Sequence, residues 1–428
     1  MSVASADALQ DWLARVTGGR VLTWEAVTSG NSRSTFAADV EVGGERLALV
    51  VRHDEGGGPV AGTALSLERE AAVYRALEGS GLPVPRLYAA TPTLGAMAVE
   101  RLSGAAHESG AVLRELLVQL AALHNLQVER LAPPGFARTA AAELELWQGI
   151  ARQKLADPDE LVELAFAILR DRFPGEPERY VLCHGDFGEG NFLVDGGRVS
   201  ALLDWEFAHI GDPHDDLAWL TVRALMFGHD LTGFDAAVRA DYAPAALVAL
   251  SPARLRYWQA VTVLRNLVCC LAVASAPPGR DRSVHLMLLP GLRHRLVRLL
   301  AELGEVELPR VAPLPDERPL AEGAECPGDG LVRELASGLG DLAAAVSDPG
   351  ARRRARRLQR IAEQFAENWW RAPAVGVANA AERERAGHDR PARLRMLALI
   401  TDRELALLPR SSPIAAGALA VLEDGDVT

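Results

Sequence analysis

Hydrophobic residues near the N-terminus follow first a helical spacing and then the alternation typical of β-strands. Between Ala6 and Val16 the apolar residues recur at helical intervals, which predicts a helix with one buried face. The residues of that face are Leu9, Trp12, Leu13 and Val16. Alternating segments then predict strands at Leu22–Thr28 and Thr35–Val42.

A hairpin is predicted around Gly43-Gly44, because glycine readily adopts the positive φ angles of a tight hairpin turn. The strand after the turn spans Glu45–Arg52. Further along, the pattern predicts a helix over Ala64–Leu77 and strands near Arg86–Ala90 and Ala96–Arg101. This order of elements indicates a small α+β lobe.

Helical spacing dominates from Val112 onward, beginning with an apolar stripe between Leu113 and Leu123. Further helices are predicted in the segments Leu161–Leu169, Asp215–Phe227, Arg254–Ala274 and Val284–Leu303. The segment Tyr180–Asp204 interrupts this pattern with two short apolar strands beside loops rich in Gly, Asp and Asn. We therefore expect a mostly helical second lobe that carries polar loops at this interruption.

A proline-rich segment separates the second lobe from the C-terminal part of the chain. Prolines stand among acidic residues between Glu305 and Gly330, which predicts a linker that few contacts cross. Amphipathic helices follow, for example through Leu394, Leu397 and Ile400, and predict an all-α unit. The predicted domains are an N-terminal lobe, a C-terminal lobe, the linker and a helical domain, at residues 1–101, 102–305, 306–330 and 331–428.

Composition and charge limit which cellular compartment and which classes of binding partner are expected. The chain has 428 residues and a formal net charge of −12, which disfavours binding to nucleic acid phosphates. Its four cysteines form no CxxC pair, so neither a zinc site nor a disulfide framework is expected, and a cytoplasmic location fits best. The N-terminus lacks the pattern of a signal peptide, and the apolar stretch Val261–Ala274 is interrupted by Arg265 and Asn266. We expect neither nucleic acid nor a membrane as a partner.

The interruption of the second lobe carries the candidate chemistry. Asp186, Asn191 and Asp204 surround a short predicted hairpin. Phosphoryl transfer from a nucleotide needs an acceptor for the substrate proton and hard oxygen ligands for Mg²⁺, and carboxylate and amide side chains supply both. The alternative interpretation is an acidic turn between two strands.

The same residues resemble the signature of a known family. His184-Gly185-Asp186 is followed after four residues by Asn191, and an apolar strand then ends at Asp204-Trp205-Glu206. This pattern is similar to that of the aminoglycoside phosphotransferase and choline kinase-like phosphotransferase family, over about residues 20–300. The resemblance implies a two-lobed protein-kinase-like fold of the α+β class, with a small sheet-containing N-lobe and a mostly helical C-lobe. A C-terminal all-α domain would follow.

The resemblance also implies roles for the residues of the signature. Asp186 would accept the proton of the substrate hydroxyl, and Asn191 and Asp204 would hold Mg²⁺. His184 would brace the loop. The implied nucleotide is ATP, with GTP open as an alternative, and it would bind to the N-terminal lobe. The implied acceptor is a hydroxyl group of a small molecule.

One polar segment of the first lobe agrees with nucleotide binding. Thr28–Thr35 contains the candidate phosphate-covering residues Ser29, Gly30, Asn31 and Ser32, whose small size lets backbone and hydroxyl donors approach phosphates. Alone this segment is an ordinary polar turn, and it lacks the repeated glycines of protein kinases.

Three further residues of the first lobe are candidates for nucleotide binding. Arg52 ends a strand where kinases usually place a lysine, and an arginine there resembles the branch similar to the kinase domains fused to acyl-CoA dehydrogenases. Glu70 is its candidate partner, because a guanidinium–carboxylate pair would fix Arg52 for phosphate binding. Val99 lies in the hinge-like segment Met97–Arg101, whose backbone would bind the adenine. A surface arginine and a solvated acid are the alternatives.

Two more acidic residues lie near the signature. Asp216 belongs to Gly211–Ala218, which matches a segment of the family, and bracing at a helix start is favoured over catalysis. Glu206 is equally consistent with assisting the metal and with bracing.

The expected function is that of an ATP-dependent phosphotransferase acting on a hydroxylated small molecule. The alternative is a noncatalytic nucleotide-binding or interaction module with the same fold, although such a module would usually have lost Asp186, Asn191 or Asp204. The last part of the chain resembles an uncharacterised helical domain attached to some of these phosphotransferases. Regulation, homodimer formation and substrate gating stay open for it.

Overall fold

A computed structural model describes most of the chain. The described residues are 5–27, 33–106, 110–128, 136, 139–226, 233–275, 282–309, 329–347 and 389–405, with isolated positions between 352 and 386. The chain divides into two compact units. The first comprises Met1–Ala156, Pro174–Ala224 and His229–Thr262, and the second comprises Asp157–Phe173, Leu225–Gly228 and Val263–Thr428.

The first unit contains an antiparallel sheet of five strands in the order β1-β2-β3-β5-β4. These strands are β1 Arg20–Val27, β2 Ser34–Val42, β3 Glu45–His53, β4 Leu87–Thr91 and β5 Ala96–Glu100. At the β2–β3 turn Gly43 and Gly44 have φ angles of 61° and 91°, and Val42 pairs with Glu45. The predicted two-glycine hairpin is confirmed.

Two helices pack on this sheet. Helix α1, Ala6–Thr17, begins where the Ser5 hydroxyl accepts a hydrogen bond from the Ala8 N–H at 3.2 Å. Its residues Leu9, Trp12 and Leu13 are buried against the sheet, whereas Val16 of the predicted face is 46% exposed. Helix α2, Leu67–Leu77, buries Val73, Tyr74 and Leu77 in a second core cluster that also contains Met97 and Val99.

The remainder of the first unit is mostly helical, as predicted. Its helices are α3 Leu113–His124, α4 Ala140–Lys154, α6 His214–Met226, α7 Phe234–Ala237, a π-helical turn at Val238–Tyr242, α8 Ala243–Ala246 and the start of α9 Pro252–Ala274. Four short strands form two antiparallel pairs, β6 Val181–Cys183 with β9 His209–Gly211 and β7 Phe192–Asp195 with β8 Arg198–Leu202. Helix α4 and strand β9 were not predicted.

The second unit consists of helices in its described part. They are α5 Glu160–Asp171, the end of α9, α10 Ser283–Gly304, α11 Asp329–Ala345 and α12 Arg390–Leu405. Helix α12 packs on α10 and buries Leu394, Leu397 and Ile400. Arg298 of α10 binds Asp402 of α12 through Nη2 and Oδ2 at 2.9 Å.

The packing of α12 on α10 tests the predicted linker between the second lobe and the C-terminal helices. Helix α12 lies beyond the predicted linker yet contacts α10, which precedes it, so the expectation that few contacts cross the linker is wrong. The physical reason is that the apolar face of α12 has no core of its own among the described residues and is buried on α10. The all-α character of the described C-terminal helices agrees with the sequence, and the domain boundaries stay a prediction.

Helix α9 is the one helix in the described part of the chain that is long and apolar enough to cross a membrane. Its most apolar window has a mean hydropathy of 1.3, and 67% of that window is buried inside the protein. Buried core helices have the same length and composition, so this helix alone is weak evidence for a membrane span. The expectation that no membrane is a partner stays a prediction.

Candidate active site

The site is built on the loop that joins β6 to β7, which contains His184, Gly185 and Asp186. Gly185 has a φ angle of 79°, and a Cβ atom at this position would lie 2.2 Å from the Phe207 carbonyl oxygen. Only glycine fits both the backbone conformation and the close contact. The loop therefore lies directly against the segment that follows β8.

A buried carboxylate braces this loop. Asp216 of α6 accepts hydrogen bonds from the backbone N–H groups of His184 and Gly185, both at 2.8 Å. His124 Nε2 lies 3.0 Å from Asp216 Oδ2, and His124 Nδ1 lies 2.6 Å from the Tyr242 hydroxyl. Burial raises the pKa of Asp216, but the hydrogen bonds and charge of His124 outweigh it and hold the pKa below its usual value. Asp216 is thus an ionised bracing group.

The His184 ring joins this loop to the segment after β8. Its Nε2 lies 2.9 Å from the Leu203 carbonyl oxygen, and its Nδ1 accepts the Asp186 N–H at 3.3 Å. The ring also packs on Trp205, with 4.4 Å between the ring centroids. Burial lowers the pKa of His184, so a neutral ring that donates from Nε2 fits this position.

The Asp186 carboxylate is held by two donors. Its Oδ2 accepts a hydrogen bond from Asn191 Nδ2 at 2.7 Å, and its Oδ1 binds the Arg223 guanidinium. Burial raises the pKa of Asp186 above the usual value, and the charge of Arg223 opposes this rise. Arg223 also donates from Nε to the Glu189 carbonyl oxygen at 2.8 Å. Asp186 is therefore fixed in orientation within a buried loop.

Asn191 and Asp204 lie at the same end of the β7–β8 hairpin. Phe192 pairs with Leu202, and the Leu203 N–H donates to the Asn191 carbonyl oxygen at 2.8 Å. The Asn191 side chain donates its amide hydrogens to Asp186, so Oδ1 is the acceptor atom of this side chain. Asp204 has a φ angle of 64°, a left-handed conformation that is uncommon outside glycine and is often found at functional sites.

Asp204 also contacts the first-lobe pair that the sequence predicts. Arg52 Nη2 donates to Asp204 Oδ1 at 2.9 Å, and Arg52 Nη1 binds Glu70 Oε1. Burial raises the pKa of Asp204, but the charges of Arg52 and Arg33 outweigh it and lower the pKa below the usual value. Glu70 is fully buried in the same network. The structure thus brings Arg52, Glu70 and Asp204 together.

Arg33 is a member of this network that the sequence did not reveal. It lies just before β2, and its Nη1 binds Glu70 Oε2. Its Nη2 lies 3.4 Å from the Leu65 carbonyl oxygen and 3.5 Å from Glu206 Oε2. Burial, and then the charge of Asp204, raise the pKa of Glu206 to about 8.

The donor atoms of this site suit a hard cation. Asn191 and Asp204 offer amide and carboxylate oxygens, and Asp204 stays ionised because its pKa is lowered. Glu206 Oε2 is buried and makes no hydrogen bond among the described residues, although Arg33 Nη2 lies 3.5 Å from it. Oxygen ligands of this kind are those that Mg²⁺ prefers. The residues present therefore fit the predicted ion.

The remaining predicted nucleotide residues have different outcomes. Val99 lies inside β5, paired with Val50 of β3 and Leu87 of β4, and the chain leaves the sheet only after Glu100. Its proposed contact with adenine stays a prediction. The phosphate-covering candidates are outside the described residues; they are Ser29, Gly30, Asn31 and Ser32.

Comparison with known proteins decides the family. The profile of a family described as "Phosphotransferase enzyme family" matches residues 23–261, which is more than half of the chain. The chain belongs to this family. This phosphotransferase is 31% identical over 186 residues to the aminoglycoside 3'-phosphotransferase of Streptomyces fradiae, with 39% of the chain and 68% of the relative covered.

Two other similarities extend the comparison. The phosphotransferase is 29% identical over 180 residues to acyl-CoA dehydrogenase family member 11 of Homo sapiens, covering 36% of the chain but only 23% of that relative. A solved structure from Ralstonia eutropha, named as an aminoglycoside phosphotransferase, matches with a TM-score of 0.51 at 17% identity. That match covers 70% of this chain and 98% of the other, and it shows the fold alone.

These findings confirm the resemblance, the α+β kinase-like fold class and the enzyme class that the sequence predicts. The chain is a small-molecule phosphotransferase with an alcohol group as acceptor. The substrates in the names of the relatives belong to those proteins.

Proposed function

We propose that this phosphotransferase moves the γ-phosphoryl group of ATP to a hydroxyl of a small molecule, with Asp186 as the catalytic base. The observation that carries the proposal is the arrangement of Asp186, Asn191, Asp204 and Arg52 along one set of contacts. Asp186 touches Asn191, the backbone of Asn191 touches Leu203 beside Asp204, and Asp204 touches Arg52. A base, two oxygen ligands and a cation for phosphate are the groups that phosphoryl transfer requires.

Asp186 would accept the proton of the acceptor hydroxyl as its oxygen attacks the γ-phosphorus. The bond from the γ-phosphorus to the bridging oxygen breaks in the same displacement, and ADP leaves with that oxygen. The raised pKa of Asp186 suits this task, because a base is most effective when its pKa lies closer to the working pH. Arg223 and Asn191 hold the carboxylate in one orientation.

Asn191 and Asp204 would hold Mg²⁺, which when bound offsets charge on the phosphates. Arg52 would bind the phosphates and Glu70 would orient Arg52, since a bidentate arginine is a strong phosphate ligand. His184 would keep the two loops together through its contact with Leu203. ATP is the proposed nucleotide, and a hydroxylated metabolite or natural product is the proposed acceptor.

A screen of hydroxylated small molecules tests this proposal. The purified chain is mixed with Mg·ATP and each candidate acceptor, and ADP release is measured together with the mass of the acceptor. We expect an acceptor whose mass rises by one phosphate while ATP is consumed in equal amount. Tight Mg·ATP binding without transfer to any acceptor class would support the noncatalytic module instead.

A further inference from the structure

Two arginines share one buried glutamate in the first unit. Glu70 binds Arg52 through Oε1 and Arg33 through Oε2, and the Glu70 side chain is 0% exposed. The pair that the sequence predicts contains only Arg52 and Glu70. Arg33 therefore binds the second carboxylate oxygen of Glu70, which Arg52 does not contact.

The two arginines differ in what else they contact. Arg52 reaches Asp204, whose side chain is 28% exposed, so Arg52 lies at the accessible edge of the network. Arg33 has a side chain only 3% exposed and lies near Leu65 O and Glu206 Oε2. Arg33 thus lies on the buried side of the network, and its guanidinium contacts protein groups only among the described residues.

Nucleotide binding would break one of these contacts, between Arg52 and Asp204, and leave the contacts of Arg33 in place. Arg52 must exchange the Asp204 carboxylate for nucleotide phosphate if Asp204 is to hold a cation. Arg52 would keep its other contact, with Glu70, during this exchange, so the position of the Glu70 carboxylate sets the position of Arg52. Arg33 binds the second oxygen of Glu70 and thereby fixes that carboxylate.

We propose that Arg33 is a positioning residue for nucleotide binding, which holds Glu70 in place while Arg52 moves from Asp204 to the phosphates. This inference rests on the proposed function. It assigns Arg33 no contact with the nucleotide. The guanidinium is needed for its shape, because its fork can bind the Glu70 carboxylate and the Leu65 carbonyl oxygen at once, whereas a lysine ammonium is a single point charge.

The test compares Arg33→Met and Arg33→Lys with the wild type and with the control Arg20→Met. Arg20 lies on the same sheet, has a side chain 76% exposed and binds Glu41, so it offers an arginine outside the network. Two quantities are measured for each protein: the Kd of Mg·ATP by calorimetry, and the midpoint of thermal unfolding without nucleotide.

Arg33→Met should raise the Kd of Mg·ATP about tenfold, which corresponds to about 1.4 kcal/mol. Arg33→Lys should raise it about threefold, since a lysine keeps the charge beside Glu70 but loses the second contact of the guanidinium fork. Arg20→Met should leave it unchanged. In a Glu70→Gln background, Arg33→Met should add less than about twofold, because the two residues act as one unit.

A purely structural Arg33 would lower the unfolding midpoint and leave the Kd of the folded protein unchanged, and that result overturns the inference alone. If Arg33→Met does not fold, Arg33→Lys decides, and a Kd equal to that of the wild type overturns the inference. Full additivity with Glu70→Gln also overturns it. A wild-type chain that binds no Mg·ATP overturns the proposed function, and the inference with it.

Discussion

Asp186 lies between Arg223 and Asn191, and an asparagine in its place could accept only one of these two contacts through its single carbonyl oxygen. The substitution Asp186→Asn keeps the side-chain size and removes the base. We expect transfer to the acceptor to fall by about 10²- to 10⁴-fold while Mg·ATP binding persists. Transfer rate and nucleotide Kd are measured, with Asp195→Asn, an exposed aspartate at the end of β7, as the control. Unchanged transfer would remove Asp186 from the role of base.

Arg223 should set the pH range in which Asp186 works. Burial raises the pKa of Asp186, and the Arg223 charge opposes that rise, so Arg223→Met should raise the pKa further. A base must be deprotonated, so the acidic limb of the pH profile of kcat/KM should move to higher pH. Arg223→Lys keeps the charge and should move it less. If the acidic limb of the pH profile does not move in either variant, Arg223 does not control the pKa of Asp186.

Sequence reasoning identified the residues with a motif around them and missed those whose partners are distant in the chain. Asp186, Asn191 and Asp204 stand in a fixed spacing that marks them. Arg33 meets Glu70 and Glu206 only after folding, and an isolated arginine before a strand carries no such mark. Arg223 had a usable signal, because it lies seven residues after Asp216, on the same face of α6.

At the scale of elements, one side chain of β2 ties several strands together. Asp39 binds Arg46 of β3 and Arg101 after β5, and accepts the Thr23 hydroxyl of β1 at 2.8 Å. The Arg46 and Thr23 hydrogen bonds, followed by the charge of Arg101, hold the pKa of Asp39 well below its usual value of 3.8. Asp39 therefore stabilises the sheet in its ionised form.

The wild type should be more stable than Asp39→Asn at neutral pH. Because the folded pKa is lowered, this advantage is present above the unfolded value of 3.8 and is lost as pH falls through the folded value. The urea midpoints of the two proteins should stay apart from pH 7 to 5 and converge in stronger acid. Asp11→Asn, an exposed change on α1, is the control. A gap that widens in acid contradicts the assignment.

The elements themselves could largely be predicted, because β2, β3 and α2 have clear periodicity and turn residues. Helix α4 was missed although Leu144, Trp147 and Ala151 have helical spacing, since its overall apolar content is modest. Strand β9 has three residues, too few for any period to show. Its pairing with β6 depends on the folded chain.

At the scale of the whole molecule, the second unit is held by packing that the chain order does not indicate. Leu397 of α12 is 4% exposed on a helix that packs on α10. Leu397→Ala should lower the free energy of unfolding by about 2–5 kcal/mol, because it leaves a cavity. Leu342→Ala on α11, where the side chain is 51% exposed, should change it little. Chemical denaturation measures both, and equal effects would show that α12 is not part of this core.

The contact between the His184 ring and Leu203 has a consequence for the range of acceptors that this enzyme could use. One neutral ring joins the loop of the proposed base to the strand end that bears the proposed metal ligand. The spacing between these groups is therefore set by contacts within the protein and does not depend on a bound acceptor. An acceptor needs only to bring its hydroxyl to Asp186, so the rest of the acceptor can differ while the reacting groups keep their arrangement.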